Sequence, residues 1–321
     1  MSEARIQWFA NAFGTLVDNI ETVIRGKRPV IELAVICMCA EGHLLVEDVP
    51  GVGKTSLARA LAGSVAGSWK RVQFTPDLLP TDVTGVSIFN QKTNDFEFKP
   101  GPVFANIVVG DEINRASPKT QSALLEVMEE RRVTVDAISH QVPRPFMVIA
   151  TQNPIEMDGT YRLPEAQLDR FLIRAQIGYP DHDAGVDVLR THRGGSPMDR
   201  LEPVMELSEM QTMVSIVDEV HVDDSLQDYI VALTEATRAD GDTRLGASPR
   251  ATLGLMRAAF AKAASEARDF VTPEDVKSLA EPVLAHRLVL TPEAELHGHT
   301  ASEVVRRALS SMPITVPGTA R

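Results

Sequence analysis

Glu47-Asp48-Val49-Pro50-Gly51-Val52-Gly53-Lys54-Thr55 is the stretch that decides the fold. It follows the apolar run Leu44-Leu45-Val46 and precedes a helix-like run from Ser56 to Ala66, so the chain reads strand, glycine-rich turn, helix start. Glycines let backbone N–H groups approach phosphate oxygens, a lysine at the helix start bridges β- and γ-phosphates, and the next hydroxyl ligates Mg²⁺. Pro50, Gly51, Val52, Gly53, Lys54, Thr55 and Ser56 are therefore expected to enclose the phosphates of a nucleotide, with Thr55 also on the metal. The usual pattern G-x-x-x-x-G-K-S/T carries Asp48 at its first glycine, while the groups that face the ligand are intact.

Outward from this turn, short apolar runs alternate with helical patterns: Leu44 to Val46, Arg71 to Phe74, Ile107 to Val109, Phe146 to Ile149 and Leu172 to Ile177. Such alternation predicts an α/β fold, a parallel sheet with helices on both faces. After Tyr179-Pro180 a polar stretch containing Arg193-Gly194-Gly195-Ser196-Pro197 reads as a linker, and the remainder shows helical periodicity only. Ser208 with Gln211, Asp223 or Asp224, Ser248-Pro249 and Thr272-Pro273 are expected to open four helices. The third of these sets Leu253, Met256, Phe260 and Ala263 on one face. The expected organisation is an αβα core over residues 1–180, a linker over 181–206 and an all-helical C-terminal domain over 207–321, with a loosely held tail beyond Ser310.

The strand Ile107-Val108-Val109 ends in Gly110-Asp111-Glu112, two acids at the carboxyl edge of the sheet, where open α/β folds bind ligands. Asp111 is expected to hold Mg²⁺ and Glu112 to polarise the water that attacks a γ-phosphate. Ser117-Pro118 supplies the cap for the next helix, which leaves both acids without a capping task. A later strand ends in Thr151-Gln152-Asn153-Pro154, where Asn153 either orients the attacking water or is an ordinary turn residue before proline. Arg170, in Leu168-Asp169-Arg170-Phe171, either reaches the γ-phosphate of a neighbouring subunit or forms a surface salt bridge. Arg250 in Ala247-Ser248-Pro249-Arg250 places a cation in the first turn of a helix, where the macrodipole disfavours it; a bound phosphate or a nearby acid would compensate.

Composition sets the outer limits. The chain of 321 residues is 44% hydrophobic and 24% charged, enough for one sizeable core and a smaller second domain. Its formal charge of −12 opposes a general role on duplex DNA, whose phosphates call for a basic face. The two cysteines, Cys37 and Cys39, lie in an apolar run and imply buried thiols rather than a disulfide framework. No stretch reaches the roughly 20 apolar residues that a membrane helix requires, and a cytoplasmic protein without membrane insertion is expected. His297-Gly298-His299 is read as a solvent-exposed pair and assigned no transition metal.

In their order along the chain, these features resemble a AAA+ ATPase, and more closely the MoxR family. The stretches that carry the resemblance are Leu44 to Thr55, Gly110 to Arg131 and Ala150 to Leu172, with Gly246 to Ala251 beyond them. The resemblance implies a P-loop αβα core with a helical lid, ATP and Mg²⁺ as ligands, and self-association into a ring, usually of six subunits. By the same match Lys54 and Thr55 belong to the Walker A motif, Asp111 and Glu112 to Walker B, Asn153 to sensor 1, Arg170 to the arginine finger and Arg250 to sensor 2. ATP is preferred to GTP on this resemblance and because no Asn-Lys-x-Asp guanine-reading pattern occurs. Relatives also carry two hairpin inserts, matched here near 86–99 and 132–144, whose Phe89, Phe96 or His140 either face a client or pack on the core.

The function so implied is a chaperone-like ATPase that remodels, matures or activates a client protein complex, including metal-cofactor insertion, with a partner bearing a von Willebrand factor A domain. Three alternatives stand beside it: the ATPase subunit of a magnesium or cobalt chelatase, a non-hydrolysing nucleotide-dependent scaffold, and a nucleic-acid motor. The set Asp111, Glu112, Asn153 and Arg170 argues against a scaffold, which needs no water-positioner. The acidic balance argues against a motor on nucleic acid.

Overall fold

A computed structural model describes residues 1–153, 161, 163–192 and 196–312. By their contacts the residues form two compact units, Asn11–Val214 and a second made of Met1–Ala10 with Ser215–Arg321.

The larger unit is built on a five-stranded sheet. Its strands are β1 (Leu44–Glu47), β2 (Trp69–Gln73), β3 (Ile107–Asp111), β4 (Met147–Gln152) and β5 (Ile173–Ala175). All neighbours are parallel and the order is β5-β1-β4-β3-β2. The continuous apolar runs of β1, β3 and β4 are explained by that order, since the three inner strands are covered on both faces. β2 stands at the edge, and only Val72 of its residues is buried. Because the strands are parallel, the residues that follow β1, β3 and β4 emerge at one edge of the sheet.

His43, at the entrance to β1, ties this core together. Its Nδ1 accepts from the Val148 N–H on β4 at 3.0 Å, and Nε2 then donates to the Met128 carbonyl at 3.1 Å. That carbonyl belongs to the last turn of the helix Pro118–Glu130, where helical partners run out. Both cysteines are buried, and burial pushes the Cys39 thiol well above its ordinary range.

Two antiparallel hairpins project from the core, Gly85–Asn90 with Asp95–Pro100 and Arg132–Val135 with Ile138–Gln141. Phe89 and Phe96 are exposed and pack edge to face at 5.4 Å, so they rest on each other rather than on the core. His140 instead stacks on Phe98 at 4.1 Å, which joins one hairpin to the other.

The stretch expected to be a linker is structured over most of its length. It contains the helix His182–His192, a short 3₁₀ turn Pro197–Arg200, and Met205–Glu206 paired in parallel with Val65–Ala66. Arg193, Gly194 and Gly195 lie outside the described residues. The division between units consequently falls later, between Val214 and Ser215. It also assigns Met1–Ala10 to the helical unit, in which Arg5 grips Glu219 through contacts of 2.6 Å.

The helical unit is held by its caps and by small side chains. Asp223 accepts from the Ser225 N–H at 2.9 Å, Ser248 from Ala251 at 3.1 Å, and Asp275 accepts from the Thr272 N–H at 2.7 Å. At the start of Leu207–Val217, which belongs to the larger unit up to Val214, the cap differs from the expected one. Ser208 lies inside the first turn, and the Glu206 N–H donates to Glu209 at 2.8 Å, because the helix begins at Leu207. In the helix Pro249–Ser265 the buried residues are Ala251, Leu255, Ala258, Ala259, Ala261, Ala263 and Ala264, so that Ala263 of the expected face is buried while Leu253 is exposed. The alanine face lets the neighbouring helices Asp224–Ala239 and Pro273–Leu284 approach closely, and that contact outweighs the larger side chains. The final helix runs to Ser311, and residues 313–321 of the expected loose tail lie outside those described. Among the described residues no helix is long and apolar enough to cross a membrane.

Candidate active site

The turn after β1 takes its shape from Gly51 and Gly53, at φ +82° and +98°. A Cβ at either would meet nothing within 4 Å, so the requirement is conformational, and the open space above the turn is where an anion can approach. The helix Lys54–Gly63 starts there with Gly53 as its N-cap. The Lys54 ammonium curls back over the turn and donates to the carbonyls of Asp48 and Val49.

Asp48, the departure from the usual pattern, is a strap. Its Oδ1 accepts from the Val49 N–H at 2.7 Å and its Oδ2 from the Gly178 N–H at 2.6 Å. The carboxylate is thereby aimed at backbone donors, one of them just beyond β5.

Across from the turn, at the end of β3, Asp111 is 2% exposed. Its Oδ1 accepts from the Thr55 hydroxyl at 3.0 Å and from the Thr151 hydroxyl at 3.2 Å, and its Oδ2 accepts from Arg71 Nε at 2.6 Å. Glu112 is in the left-handed region at φ 56°, ψ 49°, with its N–H bonded to the Thr151 hydroxyl at 3.0 Å. Its Oε2 accepts from Gln73 Nε2 at 2.9 Å and from Arg115 at 3.0 Å. Asn153 follows β4 at the same edge, is buried, and has its carbonyl held by Asn114 Nδ2 at 3.2 Å. Pro154 lies outside the described residues.

The fold thus gathers Lys54, Thr55, Asp111, Glu112 and Asn153 at one sheet edge. Arg170 is elsewhere. It precedes β5, whose first residue Ile173 pairs with Leu44 at the start of β1, whereas the glycine turn follows the end of β1. At about 3.3 Å per residue the two edges are on the order of 10 Å apart. Arg170 Nε contacts Glu129 at 3.1 Å and lines a cavity of about 570 Å³ with Ser122, Glu126, Glu130, Arg132 and Gln167. Arg250 belongs to the helical unit, at the second position of Pro249–Ser265.

Arg71, Gln73, Arg115 and Thr151 were not singled out from the sequence. Gln73 and Asp111 are register partners on adjacent strands, a relation that strand order alone reveals.

A hydroxyl and a carboxylate oxygen 3.0 Å apart form an all-oxygen donor set of the kind that Mg²⁺ accepts, with its remaining positions left for water and phosphate. The glycine turn, open above both glycines and continuous with a helix N-terminus, fits a polyphosphate.

A parallel sheet ordered 5-1-4-3-2, a glycine-rich turn after β1 and an acidic pair at the end of β3, with β4 between those two strands, define a P-loop nucleotide-binding protein. The profile of the ATPase family associated with various cellular activities (AAA) matches residues 43–173, and that of the AAA lid domain matches 235–308. The chain is 50% identical to the protein YeaC of Bacillus subtilis, covering 94% of this chain and 95% of the relative. It is 39% identical to the chaperone MoxR1 of Mycobacterium tuberculosis (93% and 81% covered) and 30% identical to protein MoxR of Methylorubrum extorquens (97% of each). A crystal structure of a candidate ATPase from Cytophaga hutchinsonii superposes with a TM-score of 0.90 at 36% identity, covering 98% of each chain. The chain belongs to the MoxR family of AAA+ ATPases.

Proposed function

We propose that the protein hydrolyses Mg²⁺-bound ATP in a site completed by a neighbouring copy within a ring, and uses the cycle to remodel a client protein complex. The observation that carries this reading is the Thr55 hydroxyl 3.0 Å from the buried Asp111 carboxylate, beside Glu112 and opposite an open glycine turn.

In this reading the N–H groups of the turn from Pro50 to Ser56 bind the phosphates, and Lys54 exchanges its contacts with the Asp48 and Val49 carbonyls for β- and γ-phosphate oxygens. Thr55 and Asp111 would hold Mg²⁺, which supplies charge neutralisation on the β- and γ-phosphates. Glu112 accepts the proton of the attacking water, a contribution of about 10² to 10⁴ in rate. Its carboxylate must first leave Gln73 and Arg115, so those two residues restrain it before attack. Asn153, held through its backbone by Asn114, orients the same water.

Arg170 acts on the phosphate of the adjacent subunit, since its own turn lies at the other edge of the sheet; such a finger contributes about 10³ to 10⁵. The family resemblance assigns Arg250 of the helical unit to sensor 2, acting on its own subunit's nucleotide or on a neighbour's. The family resemblance extends the proposal to a ring of six, a partner with a von Willebrand factor A domain, and maturation of complexes that includes metal-cofactor insertion. A relative named as a chaperone supports the remodelling role.

The test is ATP hydrolysis per subunit across a range of protein concentrations, with Glu112→Gln and Arg170→Ala beside the parent. A specific rate that climbs with concentration and collapses in both variants is expected. Parent-like turnover in Glu112→Gln removes Glu112 from the chemistry, and a rate independent of both concentration and Arg170 removes the shared site.

A further inference from the structure

Thr151 joins the two acids of the site although it belongs to neither their strand nor the glycine turn. It lies on β4 and is 2% exposed. Its hydroxyl donates to Asp111 Oδ1 at 3.2 Å and accepts from the Glu112 N–H at 3.0 Å. Neither bond is needed to pair the strand, because the β4 backbone already pairs with β1 on one side and β3 on the other. The two bonds go instead to consecutive residues, one placed to hold the metal and the next to direct water.

Glu112 shows why such a clamp matters. Its backbone is left-handed at φ 56°, ψ 49°, a conformation that β-carbon sterics oppose in any residue but glycine. Backbones of this kind persist where the surroundings over-determine them. The Glu112 carbonyl is held by the Arg115 N–H at 2.9 Å in the turn that follows, and the Thr151 oxygen takes the Glu112 N–H just as the chain leaves β3. The same hydroxyl's proton fixes the Asp111 carboxylate from the side opposite the Arg71 contact.

We propose that Thr151 is a positioning residue for hydrolysis, whose hydroxyl sets the mutual placement of the Asp111 carboxylate and the Glu112 side chain. The proposal rests on the roles given to Asp111 and Glu112 above. Serine offers the same hydroxyl, while valine matches threonine in shape and offers none, so the pair separates the hydrogen bonds from the packing.

The experiment compares Thr151→Val and Thr151→Ser with the parent in three readouts: kcat and KM for Mg²⁺-ATP, thermal midpoint, and amide hydrogen exchange at Glu112 without nucleotide. Valine is expected to lower kcat about tenfold or more with KM changed less than about threefold, and to speed exchange at Glu112. Serine should restore both. Unchanged Glu112 exchange in the valine variant overturns the clamp whether or not the parent turns over. An active parent with an equally active valine variant, or a loss confined to KM or to the thermal midpoint and not rescued by serine, overturns the proposal and leaves the ATPase reading standing. A parent inactive at every concentration overturns the ATPase reading, and the catalytic role of Thr151 with it.

Discussion

Replacing Asp48 sets motif logic against structural logic. By the usual pattern, Asp48→Gly restores a standard phosphate-binding loop and should improve binding. In the structure the Asp48 carboxylate accepts the Val49 and Gly178 N–H groups at 2.7 and 2.6 Å, and glycine removes both bonds. A hydrogen bond to a charged group is worth about 1.5 to 3 kcal/mol. Two such bonds come to about 3 to 6 kcal/mol, and the partial exposure of Asp48 discounts this to about 2 to 3 kcal/mol for the pair. If that energy orders the loop, its loss weakens Mg²⁺-ATP binding about 30- to 150-fold in Asp48→Ala. Asp48→Gly should be at least as weak, because glycine adds chain freedom. Asp48→Asn keeps one acceptor and should lose about half the energy, roughly five- to tenfold in affinity. Calorimetric titration of each variant with Mg²⁺-ATP, with the thermal midpoint as a folding control, measures the series. A glycine variant that binds as tightly as the parent would refute the strap.

Gln73→Ala removes a 2.9 Å restraint on the Glu112 carboxylate, and because that carboxylate is partly exposed and keeps its Arg115 contact, the bond is discounted and basal turnover should rise only about two- to fivefold; a fall in steady-state hydrolysis contradicts the restraining role. His43→Leu strands the Val148 N–H and the Met128 carbonyl in the core at about 1 to 3 kcal/mol each, and differential scanning calorimetry should show a midpoint lower by roughly 5 to 15 °C. In the helical unit, the Arg307 guanidinium bonded to Asp240 holds that carboxyl below its ordinary value. A depressed folded-state pKa stabilises above the unfolded value near ~3.9 and is lost as pH falls through the folded value. Asp240→Asn should therefore cost up to about 1 kcal/mol at neutral pH, a modest figure because Arg307 is half exposed, and denaturant titrations of parent and variant should converge in acid.

Much of the core was legible because its signals are local. Alternating apolar runs and helical stretches announce a sheet covered on both faces, and each expected strand appears within a few residues of its place. Ser117, Asp223, Ser248 and Thr272 cap the helices expected of them, since a cap is decided within four residues. The linker was misjudged for the same reason. Met205–Glu206 is ordered by pairing with Val65–Ala66, a partner far away in the chain that no local pattern announces. Apart from Ala263, the alanine face of Pro249–Ser265 was missed because close approach of neighbouring helices, rather than side-chain size, selects what is buried.

By itself the sequence determined the parts of the site: the glycine turn, Lys54 and Thr55 at a helix start, and Asp111 and Glu112 at a strand end. It could do so because each is a short run whose chemistry depends on spacing along the backbone. Strand order belonged to the tertiary structure. The order 5-1-4-3-2 brings Asp111 to Thr55, sets Gln73 beside Glu112, and slips Thr151 between the two acids, while it leaves Arg170 at the far edge. The physical reason is that a parallel sheet joins residues through crossovers of many residues, so which side chains meet at its edge depends on how the strands pack and not on how they follow one another.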